Sequence, residues 1–406
     1  MVQIGEINLL TPMVLAPMAG VTNPPFRQLC REFAEMGGKA AGVELASVRT
    51  QGLVAPAGLY TCEMITTRAL VERIPETMNM VKPDMEDPVR SVQLYGVQPK
   101  VVAAAVKILV REDLADHIDL NFGCPVPKVT RKGGGSALPW KHDLFREVVA
   151  QAVRAATETS ALVGRSKPVP VTAKIRIGID EEHETYRDIA KIAREEGIAA
   201  LTLHARTTAQ NYSGLARWDA ISILQNEAEI PVFGNGDIFE VSDAKAMLEQ
   251  TGAAGVVIGR GCQGRPWIFY DLAAAFHGSQ SCYQPTLAQV AQVILRHAEL
   301  SIDHFNGDEN RALREMRKHM AWYLRGFSVG GEQRHALGLV STLTELQERL
   351  NVLDLQQEYP DAAHGPRGRA GTAKRPHLPD KWLESHTLSA AQRAKIQEAE
   401  IGISGG

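Results

Sequence analysis

The sequence predicts an α/β protein, a (β/α)8 TIM barrel followed by a smaller all-helical C-terminal domain. Three observations predict it. Between Met13 and about Ala275, eight short β-rich runs alternate with helical stretches, a count and order that suit a closed barrel better than an open doubly wound sheet. Nearly every run ends in a polar or catalytic-type residue, and in such a barrel those ends gather at one mouth. Past Pro285 the strand signal stops and the pattern turns helical. The expected divisions are 1–280 for the barrel, 285–352 for the helical domain and 353–406 for a linker and tail.

In chain order, strands are expected at Val14–Pro17, Ala41–Leu45, Ser91–Tyr95, His117–Asn121, Val171–Arg176, Ala200–His204, Pro231–Asn235 and Gly255–Ile258. Helices are expected at Lys100–Val110, Asp143–Thr157, Thr185–Glu196 and Val241–Gln250. The link from Ala46 to Arg90 is long and mixed. The strand ends read Pro17-Met18, Glu44, Gln93, Asn121 with Cys124, Lys174 with Arg176, His204 with Arg206, Asn235-Gly236-Asp237 and Gly259-Arg260. Their convergence on one mouth is a stronger signal than any single motif.

Composition narrows the class. At 44% hydrophobic and 22% charged residues, the chain reads as an ordinary soluble globular protein. Its five cysteines include no Cys-x-x-Cys pair, which argues against a disulfide framework, a zinc site or an iron–sulfur site and suits a reducing compartment. Met1 to Gly20 lacks a signal-peptide pattern and no apolar run approaches a membrane span. A cytoplasmic location is the expectation. The formal charge of −3 gives no global nucleic-acid footprint, so any such surface must be local.

Cys124 is the focus of the predicted mouth. The run ending in Asp119-Leu120-Asn121 is broken at once by Gly123 and Pro125, so the thiol is presented on a turn just past a strand. A buried packing cysteine is the bland alternative, but Gly and Pro neighbours offer little apolar packing. Gly234-Asn235-Gly236-Asp237 and Gly259-Arg260-Gly261 follow the last two strands. There, glycines let backbone N–H groups approach a phosphate, or serve only as tight turns. Gly259-x-Gly261-x-x-Gly264 also fits a dinucleotide fingerprint, but no further strand ending in an acid follows. A Rossmann reading is rejected. Lys174 alternates inward with Arg176 on an apolar strand; it can stabilise negative charge on a bound ring, or pair with Glu44 or Asp119. His204 is read evenly as a ligand contact or a satisfied core histidine. Arg131-Lys132-Gly133-Gly134-Gly135-Ser136 is expected to be a mobile lid, with a flexible connector as the alternative, because three successive glycines hold no fixed shape cheaply.

Ala16-Pro17-Met18-Ala19-Gly20-Val21-Thr22-Asn23, Gln93-Leu94-Tyr95-Gly96, Asn121-Phe122-Gly123-Cys124-Pro125, Lys174-Ile175-Arg176 and Gly259-Arg260-Gly261-Cys262-Gln263-Gly264 together resemble the tRNA-dihydrouridine synthases. Arg314-Glu315-Met316-Arg317-Lys318-His319 resembles their bacterial B-type branch. The resemblance runs from about Val14 to Leu350. It implies an FMN-bearing barrel that uses NADPH to reduce a uridine in the tRNA D-loop, position 17 for the B-type branch. It assigns Pro17, Met18, Ala19, Gln93, Lys174, His204, Asn235, Gly236, Asp237, Gly259 and Arg260 to FMN. Cys124 becomes the proton donor, with Asn121 and Arg176 holding the uracil. Two departures stand out: Glu44-Leu45-Ala46-Ser47 where the family has Glu-Met-Val-Ser, and Phe122-Gly123 where it has Met-Gly.

The implied chemistry suits these residue types. Uracil C6 is electron-poor through conjugation with the C4 carbonyl, so hydride adds there and C5 needs a proton. A thiol with an ordinary pKa of about 8.5 is still protonated at neutral pH, and an apolar pocket keeps it so.

The C-terminal part carries the RNA expectation. On a helical wheel from Asn310 to Phe327, Leu313, Met316, Met320, Tyr323, Leu324 and Phe327 share one side. Arg311, Arg314, Lys318 and Arg325 share the other with Trp322, while Glu309 and Glu315 lie elsewhere. This single-sign row is read as a tRNA phosphate contact, with a solvated face as the alternative. Glu358 to Pro379 reads as a linker or disordered stretch and Leu388 to Ile401 as a short helix. No protein partner is evident, and a monomer is expected. Two rival readings remain: an FMN-dependent dehydrogenase of a free pyrimidine, and a non-catalytic RNA-binding barrel.

Overall fold

The structure, a computed structural model, describes residues 2–46, 53–82, 87–368 and 370–401. Eight parallel barrel strands are present: β1 (Met13–Leu15), β2 (Leu59–Tyr60), β3 (Ser91–Tyr95), β4 (His117–Phe122), β5 (Val171–Arg176), β6 (Leu201–His204), β7 (Val232–Asn235) and β8 (Gly255–Ile258). Each pairs with its numerical neighbours, and β8 returns to β1 through Val257↔Val14. β2 closes the ring in two steps. Leu59 pairs with Val14, Thr61 bridges to Ser91, and the short strand Ile65–Thr66 pairs with Leu94–Tyr95. Strands buried on both faces read as near-continuous apolar runs, and all four residues of β8 are buried.

Ala41–Leu45 is not a barrel strand. The helix α1 (Pro24–Ala40) ends in a turn at Gly42 (φ +75°), and Val43 N–H donates to Gly38 O at 2.9 Å, folding the run back on the helix end. Its apolar residues bury Leu45 against Gly38. β2 was hidden in the mixed link because it is short. Gly58 before it (φ +90°) packs so close to β1 that a Cβ would lie 2.5 Å from Met13 O.

Helices α2 (Pro99–Arg111), α3 (His142–Leu162), α4 (Tyr186–Glu195), α5 (Trp218–Glu227), α6 (Val241–Thr251) and α7 (Ile268–Phe276) cover the barrel with α1. The four expected helices match α2, α3, α4 and α6 to within a few residues. At the N-terminal end of the barrel, a small sheet of Val2–Ile4, Ile7–Leu9 and Val54–Ala55 buries Ile4 and Leu9 with Val14, Phe233 and Val257. The C-terminal ends of the barrel strands, and so the mouth, lie at the opposite end.

The C-terminal helices are α8 (Leu287–His304), α9 (Glu309–Tyr323), α10 (Gly331–Leu337) and α11 (Leu343–Asn351). A capping box starts α8, with Thr286 and Gln289 bonding each other's backbone N–H. All six residues of the predicted apolar stripe are buried, and they pack with Leu29 and Phe33 of α1 and with Trp267. The helical part is therefore mounted directly on the barrel wall.

The tail corrects the linker expectation. Arg367 is buried, bonding the carbonyls of Ala363, Gln263 and Trp322 at 2.6 to 3.3 Å. Lys374 N–H donates to Ala209 O at 2.8 Å. Trp382 is buried, and its indole N–H donates to Ala137 O at 2.9 Å. Beyond it, α12 (Ala390–Ile401) is tied to α3 by Arg393 with Asp143 and Glu147. A composition rich in Pro, Gly, Ala and basic groups points to a linker or disorder, yet two large side chains buried at intervals suffice to pin an extended strap.

Candidate active site

Cys124 stands at the exit of β4, held by its own turn. Asn121 Oδ1 accepts from Gly123 N–H at 3.2 Å and Cys124 N–H at 3.0 Å, a side-chain cap on the chain reversal. The Cys124 carbonyl accepts from both the N–H and the hydroxyl of Ser136, at 3.0 and 3.1 Å. Burial pushes the thiol pKa up, against the Val126 N–H and the charges of Arg176 and Lys174. The sulfur is thus kept protonated at neutral pH.

The glycine run is a packing device rather than a mobile lid. All three glycines are buried. A Cβ would meet the Trp382 ring at 2.6 Å on Gly133, Tyr95 Oη at 2.5 Å on Gly134 and Cys124 O at 2.5 Å on Gly135. Each missing side chain makes room for a close neighbour, which fixes the loop under Cys124.

Cations surround the rest of the mouth. Lys174 Nζ donates to Asn235 Oδ1 at 3.1 Å, while Asp119 acts on it through its charge, and Asn235 Nδ2 donates to Val257 O at 2.7 Å. Burial and the nearby Arg176 push Lys174 down to about 8, with Asp119 pulling the other way. Arg176 is lowered to about 10 by burial; it donates to the carbonyls of Gly123, Thr207 and Asn211 at 2.8 to 2.9 Å. It therefore bridges the Cys124 turn to the loop after β6. His204 is buried among Arg176, Lys174, Arg206 and Arg260, and burial followed by those charges holds it neutral. Asp237 (φ +56°) is paired with Arg206 at 2.7 Å and Arg260 at 3.3 Å.

Two features fit a phosphate-bearing group. Gly259 is not crowded, since a Cβ there would meet only ordinary contacts, Ala16 Cβ at 3.8 Å and Asn235 Nδ2 at 4.0 Å. Arg206 Nη1 is buried with no hydrogen-bond partner, an orphaned donor that a ligand oxygen would satisfy. Gly236 (φ +128°) admits no side chain, since a Cβ would lie 2.7 Å from Ala216 Cβ. By contrast, Gly261 and Gly264 serve packing, with Cβ approaches of 2.3 Å to Ile238 O and 2.2 Å to the Trp322 carbonyl carbon. The dinucleotide fingerprint is thus coincidental.

A family model described as dihydrouridine synthase (Dus) matches residues 14–360. The chain belongs to the dihydrouridine synthase family. It is 52% identical over 375 residues to the probable tRNA-dihydrouridine synthase of Mycobacterium leprae (strain TN), covering 91% of this chain and 95% of that one. It is also 37% identical to the tRNA-dihydrouridine synthase B of Pseudomonas putida (strain KT2440), over 82% and 88% of the two chains. The corresponding protein of Pasteurella multocida (strain Pm70) is 34% identical, over 87% and 94%. This dihydrouridine synthase is therefore an oxidoreductase acting on tRNA, and its family implies a flavin. Among the described residues no helix is long and apolar enough to cross a membrane, and no side-chain cluster is suited to a metal ion.

The synthase fold corrects several sequence expectations. The second strand runs on into Cys62-Glu63-Met64, and Glu63-Met64-Ile65-Thr66 resembles the Glu-Met-Val-Ser pattern, while Glu44 is exposed just past the end of α1. Glu63 Oε2 accepts from Gly20 N–H at 2.7 Å, tying the ends of β1 and β2 together. Met18 sits in that same turn, its N–H bonded to Thr22 Oγ1 at 3.0 Å, with Pro17 and Ala19 on either side. Gln93 is fully buried and committed to Asp119 and Asn121, at 2.7 and 2.8 Å. Tyr212, which no motif flagged, lies against Arg176 and Arg260 with guanidinium–ring distances of 5.6 and 4.8 Å.

The expected basic row on α9 is less uniform than its wheel. Arg311 and Arg314 are exposed, with Arg311 stacked on Phe305 at 4.6 Å. Lys318 is paired with Glu315 at 3.1 Å, so that acid does offset the row. Arg325 donates to the carbonyls of Gly365 and Pro366 and so anchors the tail. Trp322 is packed over Gly264.

Proposed function

We propose that this synthase uses FMN and NADPH to reduce the C5=C6 bond of a D-loop uridine, with Cys124 as the proton donor. The observation that carries this reading is a protonated thiol held on a fixed turn at the β4 exit, facing a mouth lined with buried cations. A reduced flavin held here would supply the hydride that uracil C6 accepts. Cys124 delivers its proton to C5, and the thiolate left behind is reprotonated from solvent. The substrate gains one hydride and one proton.

The remaining residues bind and orient. Arg206, Gly236, Gly259 and Arg260 form the phosphate end of the flavin site, with Asp237 fixing the two arginines rather than touching the ligand. Lys174, Asn235 and His204 would hold the ring; a neutral His204 would donate one hydrogen bond without adding charge. The backbone of Pro17, Met18 and Ala19 would support the ring, and Gln93 orients Asn121. Asn121 has one amide N–H left for the uracil, and Arg176 has its unbonded Nη2. NADPH enters the same mouth before the RNA. The exposed cations of α9, Arg311 and Arg314 foremost, meet tRNA phosphates.

Cys124→Ala tests the assignment. The variant is expected to stay yellow and oxidise NADPH as the parent does, while dihydrouridine formation falls at least a hundredfold. Unchanged dihydrouridine formation would remove Cys124 from the chemistry.

A further inference from the structure

We infer that the C-terminal strap is a second tRNA-binding element, in which Lys374 and Arg375 hold phosphates beside the target uridine. Family membership gives the substrate, so the inference rests on where this tail lies. The strap begins at the β8 exit, where Gly368 packs on Arg260 with a Cβ approach of 3.1 Å to its Cδ. It passes the β6 exit, where Lys374 N–H bonds Ala209 O, and reaches the β4 exit, where Trp382 lies on Gly133. It thus follows half of the rim of the barrel mouth. On the opposite half, the Lys318 Nζ of α9 comes within 3.3 Å of a Cβ placed on Gly20, at the β1 exit. Helical part and strap together encircle the entrance through which a uridine must pass.

The strap's charge has one sign where it crosses the rim. Residues 362–379 contain no Asp or Glu. Lys374, Arg375 and His377 are exposed, and no ion pair holds either Lys374 or Arg375 among the described residues. Asp380 is the first acid to follow. Next along the rim, on the Cys124 loop, Lys128 and Arg131 are also exposed. In a chain of net charge −3, a basic strand pinned at both ends beside the mouth is a local field suited to a polyanion. Its pinned backbone also lowers the ordering cost of binding.

The test is tRNA affinity of the full-length K374E/R375E variant, measured by filter binding of an unmodified tRNA transcript across a salt series. Affinity is expected to fall at least tenfold, and the slope of log K against log salt to flatten by about two, since each phosphate contact contributes about 0.9. Flavin absorbance and the urea unfolding midpoint should match the parent, and K374R/R375K should bind as the parent does. Parental affinity and slope in K374E/R375E would overturn the inference. So would equal losses in both variants, because shape rather than charge would then be at work.

Discussion

Lys174 holds a charge where charge is costly. Its amine sits in the barrel beside Arg176, and its pKa is lowered from 10.5 to about 8. A tenfold change in a protonation equilibrium corresponds to about 1.4 kcal/mol between the two forms, so the charged amine strains the ligand-free protein by about 3 kcal/mol at most. The native state binds fewer protons here than the unfolded chain, so stability rises with pH between 8 and 10.5. Lys174→Met is therefore expected to stabilise the ligand-free protein at pH 7 by about 1–3 kcal/mol in urea unfolding. That gain should shrink as pH climbs from 8 to 10.5, and purified variant should retain less flavin. A buried charge of this kind suits the negative ring proposed to lie beside it. Cys124 is the reverse case, a thiol that burial keeps in the form its proposed step requires.

At the scale of elements, two parts of the molecule are proposed to serve the substrate differently. α9 buries its stripe through Leu313, Met316 and Met320 and leaves Arg314 and Lys318 outward. Arg314→Glu with Lys318→Glu is expected to weaken tRNA binding severalfold in gel-shift titration while leaving the flavin spectrum unchanged. The effect is tempered because Lys318 already pairs with Glu315. The Cys124 loop depends on a different contact. Trp382 fills the space above Gly133 and bonds Ala137, and the same loop gives Ser136 to the Cys124 carbonyl. Trp382→Ala should cost about 3–5 kcal/mol of stability. With the loop loosened, Cys124 should also alkylate faster with iodoacetamide than in the parent.

Over the whole molecule, the mouth is built by parts distant in sequence. Residue 20 lies beside residue 318, residue 133 beside 382, and residue 260 beside 368. A barrel places its working residues on separate loops, and here two C-terminal additions rim those loops. The helical part shares its core with α1 and α7 through Leu29, Phe33 and Tyr270. The strap repeats that attachment with Arg367 and Trp382.

Periodicity made the barrel legible, because parallel strands buried on both faces and helices buried on one leave different apolar patterns. The strand-exit motifs made most of the mouth legible too, since Asn121, Cys124, Lys174, Arg176 and Asn235 are local to their strands. Local pattern failed where a contact spans the chain. It placed the second strand at Ala41–Leu45, because nothing near Leu59 announces that its partner is Val14. It read three glycines as freedom, when Trp382, Tyr95 and the Cys124 carbonyl fill the space they leave. It also read the tail as a linker, because two buried anchors weigh little in a composition average. Backbone periodicity is written residue by residue, whereas close packing depends on which distant atoms arrive, and only the tertiary structure decides that.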